Sequence, residues 1–499
     1  MSIQANLQKF EGKIGYQVIV DRFCKSSRNI ADIPGRKTKD WQDFMPDWKP
    51  DEDGVYRNKY FYKGDLQGLI SKLDYLKELG IGLLILGPIS ETKENHHYDV
   101  GGQMKIDPYI GTEEDFRNLC YEAHKRDILI GVDLIFNHMG YNSEIFQKAL
   151  HGDERYRKWF YFNSDGRYQY WYDFKNMPLC NQRNPDFQKH AREVVQFYVR
   201  NGADMLRLDL GENLAGELQD VIANSAREIN PEVLIVNERW EFANDQNNND
   251  YYFDMANSVM NYPAADAIMR WLVYGNAAHF DYTMRRIAHY PAEHRNLLWN
   301  MLDSHDVPRA INMLHGEGMN PEPIHGKRIW DMENPWKRPG SFDTYGFRKW
   351  EAEHSYKLFP EIARRRLLLA STIDYMLPGI PVIYYGTEVG MSGCKDPFCR
   401  GPYPWEHEDL FFRNHFVKLG KMKLENNDIL ARGDWNWKVT PTTLEMYRHS
   451  EAGTLVVIVN NSEKEFYPNE NISNSKEVFS IGESTTHKIA PYGTIIYRT

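Results

Sequence analysis

Eight short apolar runs, alternating with stretches of helical periodicity, leave this chain few folds to adopt. The runs are "IGYQVIV" (14–20), "IGLLIL" (81–86), "ILIGVDLIF" (128–136), "DMLRLDL" (204–210), "VLIV" (233–236), "SVMNY" (258–262), "LLWNMLD" (297–303) and "PVIYYG" (381–386). Each has the length of a strand and is apolar along most of it, as a strand buried on both faces must be. Residues 66–79, 113–125, 187–200, 218–229 and 362–377 carry apolar side chains three and four apart, the spacing of amphipathic helices. Strand–helix alternation dictates a parallel sheet, and eight repeats predict an α/β architecture, the (β/α)₈ TIM barrel. The sixth run carries the weakest strand signal.

After about residue 428 the texture changes to "TLEMYRHS", "TLVVIVNN" and "GTIIYRT", alternating strands without helices. This predicts a C-terminal antiparallel β-sandwich over 428–499. Residues 1–138 and 185–427 then form the barrel. An irregular aromatic segment, 139–184, is inserted after strand three as a small subdomain. A long insertion, 315–358, follows strand seven and carries Trp330, Trp336 and Trp350. Ordered insertions of this length are usually functional.

Charge and cysteine content exclude several classes. Lys and Arg total 60 against 70 Asp and Glu, a net charge of -10, so no basic footprint for nucleic acid exists. No stretch approaches the roughly 18 apolar residues of a membrane span. The opening "MSIQANLQKFEGK" lacks the apolar core of a signal peptide. Cys24, Cys120, Cys180, Cys394 and Cys399 read as reduced structural thiols. The expectation is a cytoplasmic protein, monomer or homodimer.

The apolar runs are spoiled at their ends, where a barrel keeps its chemistry. Arg207 and Asp209 close run four, two apart and so on the same side of a strand. Asp133, Asn137 and His138 close run three, Glu238 run five, and Asp303, His305 and Asp306 run seven. A buried charge is costly unless paired, so these groups are expected to meet. No two-His helix motif or Asp-rich loop points to a metal. Glycoside cleavage, by contrast, needs one ionised and one protonated carboxyl group across a sugar. On that reading Arg207 lowers the pKa of Asp209, a nucleophile. Glu238, walled by Trp240, has its pKa raised and donates a proton.

The short motifs "DLIFNH" (133–138), "GADMLRLD" (202–209), "NERW" (237–240) and "LDSHD" (302–306) stand in the order typical of one family. On them the chain resembles the α-amylase superfamily of glycoside hydrolases. Matched position by position, the resemblance implies Asp209 as nucleophile, Glu238 as general acid/base and Asp306 as transition-state stabiliser. It also implies that Arg207, His138 and His305 hydrogen-bond to the sugar or its partners, and that Tyr98 stacks on it. Residues 60–81, "NMPLCNQRNP" (176–185) and "DPFCRGPYPW" (396–405) look like the neopullulanase, cyclomaltodextrinase and maltogenic amylase group. There Asp396 and Arg400 match residues that hold the next sugar outward.

Three departures from that group bear on specificity. The barrel begins without the group's usual N-terminal β-domain. Leu210-Gly211-Glu212-Asn213 replaces Val-Ala-Asn-Glu at positions that contact the acceptor sugar, which brings Glu212 into the site. The stretch "DRFCKSSRN" has no carboxylate after Asp21, so calcium, open at Asn137, is not favoured and no cofactor is required. The expected activity is retaining hydrolysis of α-1,4 bonds, with α-1,6 bonds also open, in malto-oligosaccharides or related α-glucans. A 4-α-glucanotransferase or an α-1,6-preferring glucosidase would use the same residues. A non-catalytic sugar-binding barrel is disfavoured because all three carboxylates are present. The insertion after strand seven is expected to wall the cleft, its tryptophans stacking on sugar or burying one another.

Overall fold

The computed structural model describes the chain except residues 1–6, 29, 47, 50–57, 173, 245–252, 254–255, 318, 320–327, 331–343 and 469–474. Each of the eight apolar runs contains a strand: β1 Gly15–Val18, β2 Leu83–Leu86, β3 Leu129–Leu134, β4 Met205–Leu208, β5 Leu234–Asn237, β6 Ser258–Val259, β7 Trp299–Met301 and β8 Ile380–Tyr384. They pair in parallel in the order β6-β5-β4-β3-β2-β1-β8-β7. The ring closes between β6 and β7 through a single parallel bridge, Met260 with Trp299. There Asn261 N donates to Trp299 O at 2.8 Å.

The helices form where the periodicity predicts, with local reasons for their starts. The helix Glu113–His124 opens on a reciprocal cap between Thr112 and Asp115. The helix Pro185–Arg200 opens with Pro at its first turn, and Asn184 accepts from Asp186 N and Phe187 N. Residues 66–79 split into two short helices, Leu66–Ile70 and Leu73–Glu78.

The segment after β3 holds the helices Glu144–Leu150 and Glu154–Arg157 and the antiparallel hairpin of Tyr170–Trp171 with Phe174–Pro178. Of the insertion after β7, the described parts include residues 328–330 and the helix Thr344–Ser355. Half of the expected cleft wall, Trp336 included, lies outside the described residues.

The C-terminal part is the expected antiparallel β-domain, and its described residues include one five-stranded sheet. Its strands are β9 Asp434–Val439, β10 Thr443–Ser450, β11 Gly453–Asn460, β12 Lys476–Ile481 and β13 Thr494–Arg498, in the order β9-β10-β11-β13-β12. Alternation along β10, β11 and β13 sends apolar side chains to both faces of this sheet. Leu444, Met446, Leu455, Val457, Val459 and Ile496 join the barrel's own core. Val456, Ile458, Ile495 and Tyr497 point the other way and are covered by Ile489 and Phe466, which form one isolated bridge.

Candidate active site

The charges that spoil the apolar runs meet at the C-terminal ends of β3, β4 and β5. Register places Arg207 beside Asp133 on one side and Val236 on the other, so its side chain is flanked by carboxylates from both neighbours. Arg207 is fully buried. Its Nη1 lies 2.6 Å from Asp133 Oδ2 and 3.1 Å from Asp209 Oδ1, and its Nη2 lies 2.9 Å from Glu238 Oε2. One guanidinium thus holds three carboxyl groups. Leu210, next to Asp209, adopts φ +49° and donates its N–H to Glu238 Oε2 at 2.7 Å. That turn draws the Glu238 carboxyl toward Asp209.

Three carboxyl groups around one cation leave negative charge uncompensated in a dry site. Burial first, and then the charge of Glu238, push Asp209 well above the usual aspartate range, against the pull of Arg207. The expectation that Arg207 would hold Asp209 low is therefore corrected. Asp133, with burial opposed by Arg207, is pushed up to about 6. Trp240 also differs from its expected part as an apolar wall, because its Nε1 donates to Glu238 Oε1 at 2.9 Å.

A second chain of hydrogen bonds runs from β1 across the site. Gln17 Nε2 donates to His305 Nδ1 at 3.2 Å. Burial, with the nearby Arg207 and Arg400, lowers His305 well below its ordinary value, so the ring is neutral. With Nδ1 accepting, Nε2 carries the hydrogen, and it lies 2.6 Å from Tyr98 OH and 3.2 Å from Asp306 Oδ2. Tyr98 OH in turn donates to Asp133 Oδ2 at 2.8 Å. The Tyr98 and His305 rings stack at 5.1 Å. His138 Nε2 lies 3.1 Å from Tyr98 O, a pure acceptor, so Nε2 is protonated there. Burial lowers His138 to about 4. Its Nδ1 is then a buried acceptor with no partner among the described residues.

Asp306 is the most open of the three expected catalytic carboxylates, its side chain 26 % exposed. It lies 3.5 Å from Arg400 Nη2, and Tyr262 OH donates to its Oδ2 at 3.5 Å. Arg400 Nε lies 3.2 Å from Asp396 and donates to His305 O at 2.9 Å, which ties the Asp396–Arg400 arm to the site. Burial acts to raise Asp396, but Arg400 and Arg348 outweigh it and hold the carboxyl low. Glu212 stands exposed at the rim, its N–H donating to Glu238 O at 3.2 Å.

Other residues singled out in the sequence fall elsewhere. Asp303 is structural, accepting from Ala310 N and Thr387 Oγ1. Asn137 Oδ1 accepts from Gln182 Nε2 at 3.2 Å. Asp21 is buried and accepts from the backbone of Tyr62 and Lys63. Trp330 is fully buried, 6.3 Å from Trp240 and 6.0 Å from Tyr262, so it supports the active-site aromatics from beneath. Trp350 stacks on His354 at 4.2 Å. All five cysteines are free and buried.

The sequence reading missed Gln17 and Tyr262. Gln17 sits within the first apolar run and could have been found as its one polar interruption. Tyr262 ends the weakest run, and it stacks on Trp240 at 4.0 Å.

The catalytic-domain family of alpha amylase matches residues 17–323. Neopullulanase 2 of Thermoactinomyces vulgaris is 30% identical over 407 residues, 79% of this chain and 59% of that protein. The intracellular maltogenic amylase of Bacillus subtilis is 27% identical over 446 residues, 85% of this chain and 64% of that protein. The chain thus spans less than two thirds of either relative. Among solved structures, the ligand-free cyclic alpha-maltosyl-(1→6)-maltose hydrolase of Arthrobacter globiformis superposes with a TM-score of 0.76 at 23% identity, covering 98% of this chain and 99% of that one. With the family match spanning most of the barrel and the carboxylates gathered at its strand ends, the chain belongs to the α-amylase family.

Proposed function

We propose that the protein is a retaining α-glucoside hydrolase cleaving α-1,4 bonds, and also α-1,6 bonds, of malto-oligosaccharides by double displacement. The observation that carries this reading is the grip of Arg207 on Asp133, Asp209 and Glu238 together. A pair of carboxyl groups bound to the same guanidinium favours the roughly 5 to 5.5 Å spacing of retaining enzymes over the wider gap that admits a water. Asp209 attacks the anomeric carbon, and Glu238 protonates the leaving oxygen and later deprotonates water. Asp306 and His138 Nδ1, unpartnered among the described residues, bind sugar hydroxyls, and Tyr98 stacks on the ring being cleaved.

The test is product analysis over time with maltotriose, cyclodextrin, pullulan, isomaltose and soluble starch. Maltotriose is expected to be cleaved faster than starch per reducing end, and the first product seen by NMR is the α-anomer. A β-anomer overturns double displacement, and longer products accumulating in place of glucose and maltose would make the protein a transferase.

We also propose that the activity needs no calcium. The Asp21 carboxylate is already engaged by backbone N–H groups, and Asn137 Oδ1 accepts from Gln182, which supports a structural part for both. Exhaustive EDTA treatment is expected to leave rate and melting temperature nearly unchanged. Losses restored by calcium overturn this. The five free thiols support a reducing, cytoplasmic setting.

A further inference from the structure

Beyond the carboxylates, the hairpin after β3 presents aromatic side chains to solvent beside the site. Tyr172 is 79% exposed and Phe174 50% exposed. Tyr172 also sits at φ +46°, a strained region that bulky side chains rarely occupy. Neither feature is needed for folding: most of Tyr172 and half of Phe174 stay in water, and the turn would relax with glycine in place of tyrosine.

The tip is nonetheless held firmly in relation to the site. His138 pairs with Leu179, Met139 N donates to Pro178 O at 3.1 Å, and Tyr141 N donates to Asn176 O at 2.8 Å. On the opposite side Asn176 Nδ2 donates to Glu94 Oε1 at 2.9 Å, and Glu94 Oε2 lies 3.0 Å from His96 Nε2 in the loop that carries Tyr98. The base of the hairpin is therefore fixed to both His138 and the Tyr98 loop. From His138 a stack of near-parallel rings leads outward. Trp171 lies 6.0 Å from His138 at 18°, and Phe174 lies 5.2 Å from Trp171 at 17°. Tyr172 stands edge-on to Trp171 at 5.0 Å.

We propose that this tip is a sugar-binding platform, on which Tyr172 and Phe174 stack with a glucosyl unit of the substrate beyond those held at the carboxylates. It rests on the functional reading above and names what that reading leaves open, the residues that set preference for chain length. The C–H-rich faces of a glucose ring match exposed aromatic faces. The continuity of the stack with His138 places the platform on the path of the same chain.

The experiment compares kcat/KM for maltotriose and maltohexaose in the native protein and in Y172A/F174A. Cleavage of maltotriose by the native protein is read first, and its failure would refute the functional reading without bearing on the platform. The double variant is expected to lower the maltohexaose-to-maltotriose ratio by about tenfold, mostly through KM, as loss of aromatic stacking contacts implies. Y172W/F174W is expected to restore the ratio, whereas Y172L/F174L, apolar but not planar, is not. An unchanged ratio in Y172A/F174A overturns the proposal. So does full rescue by the leucine variant. If the ratio stays and light scattering shows the variant losing a dimer that the native protein forms, the tip is a contact between copies of the chain instead.

Discussion

Replacing Asp209 with Asn is expected to lower kcat by at least about 10³-fold while leaving the melting temperature near that of the native protein. The amide keeps the size of the side chain, and its carbonyl can still accept from Arg207 Nη1, the contact now at 3.1 Å. What it lacks is the charge that attacks the anomeric carbon. The native protein offers a companion measurement. Attack needs ionised Asp209, and burial together with Glu238 raises that group above the ordinary aspartate value of about 4. Activity is therefore lost as pH falls through the raised value, and the acid limb of kcat/KM lies above the ordinary aspartate range. A variant within tenfold of native activity would remove Asp209 from the nucleophile's role, and an acid limb below about pH 4 would show that its pKa is not raised.

Arg207→Leu is expected to destabilise the fold by about 3–5 kcal/mol, because it leaves buried carboxylates without their counter-charge. The size of the loss should depend on pH. A carboxyl whose folded pKa exceeds its unfolded value contributes stability that is full at low pH and lost as pH rises through the folded value. Asp133 already stands at about 6 with Arg207 in place, and removing the cation raises it further. The gap between native and variant should thus widen from pH 5 to pH 8, read by guanidinium unfolding at both. Arg207→Lys keeps the charge but not the fork and should fall between the two. If the gap is the same at both pH values, the cation is not what balances these carboxylates.

The barrel was legible because its strands are buried on both faces and so are written as predominantly apolar runs. Even "SVMNY" yields a strand, though only Ser258–Val259 pair regularly. The site was legible for the complementary reason, since Asp133, Arg207, Asp209 and Glu238 are charges where only apolar residues pack cheaply. Periodicity says which side of a strand they face, and register does the rest. What stayed hidden depends on contacts between distant segments. Trp330 lies within an irregular segment, and nothing in its neighbours in sequence says that it packs beneath Trp240 and Tyr262. The balance of charge on Asp209 was misjudged for a similar reason. Its partner Arg207 is two residues away, whereas the opposing Glu238 arrives from the next strand. The C-terminal strands were recognisable from alternation, but alternation cannot tell a second sheet from a barrel surface as the layer that covers them.

The closing seam of the barrel bears on how the sequence can change. Between β6 and β7 the backbone supplies one bridge, and polar side chains take over the rest. Ser258 Oγ donates to Leu297 O at 2.6 Å, Asn261 Nδ2 to Asn300 Oδ1 at 2.8 Å, and Asn300 Nδ2 to Pro378 O at 2.9 Å. Elsewhere in the ring, main-chain pairing is indifferent to the identity of the residue, and one aliphatic side chain can stand in for another. At the seam, closure is written in three particular side chains, each buried and each with a fixed partner. Mutational tolerance around the ring is therefore uneven: drift is cheap at Leu84 or Ile235, while Ser258, Asn261 and Asn300 have almost no substitutes.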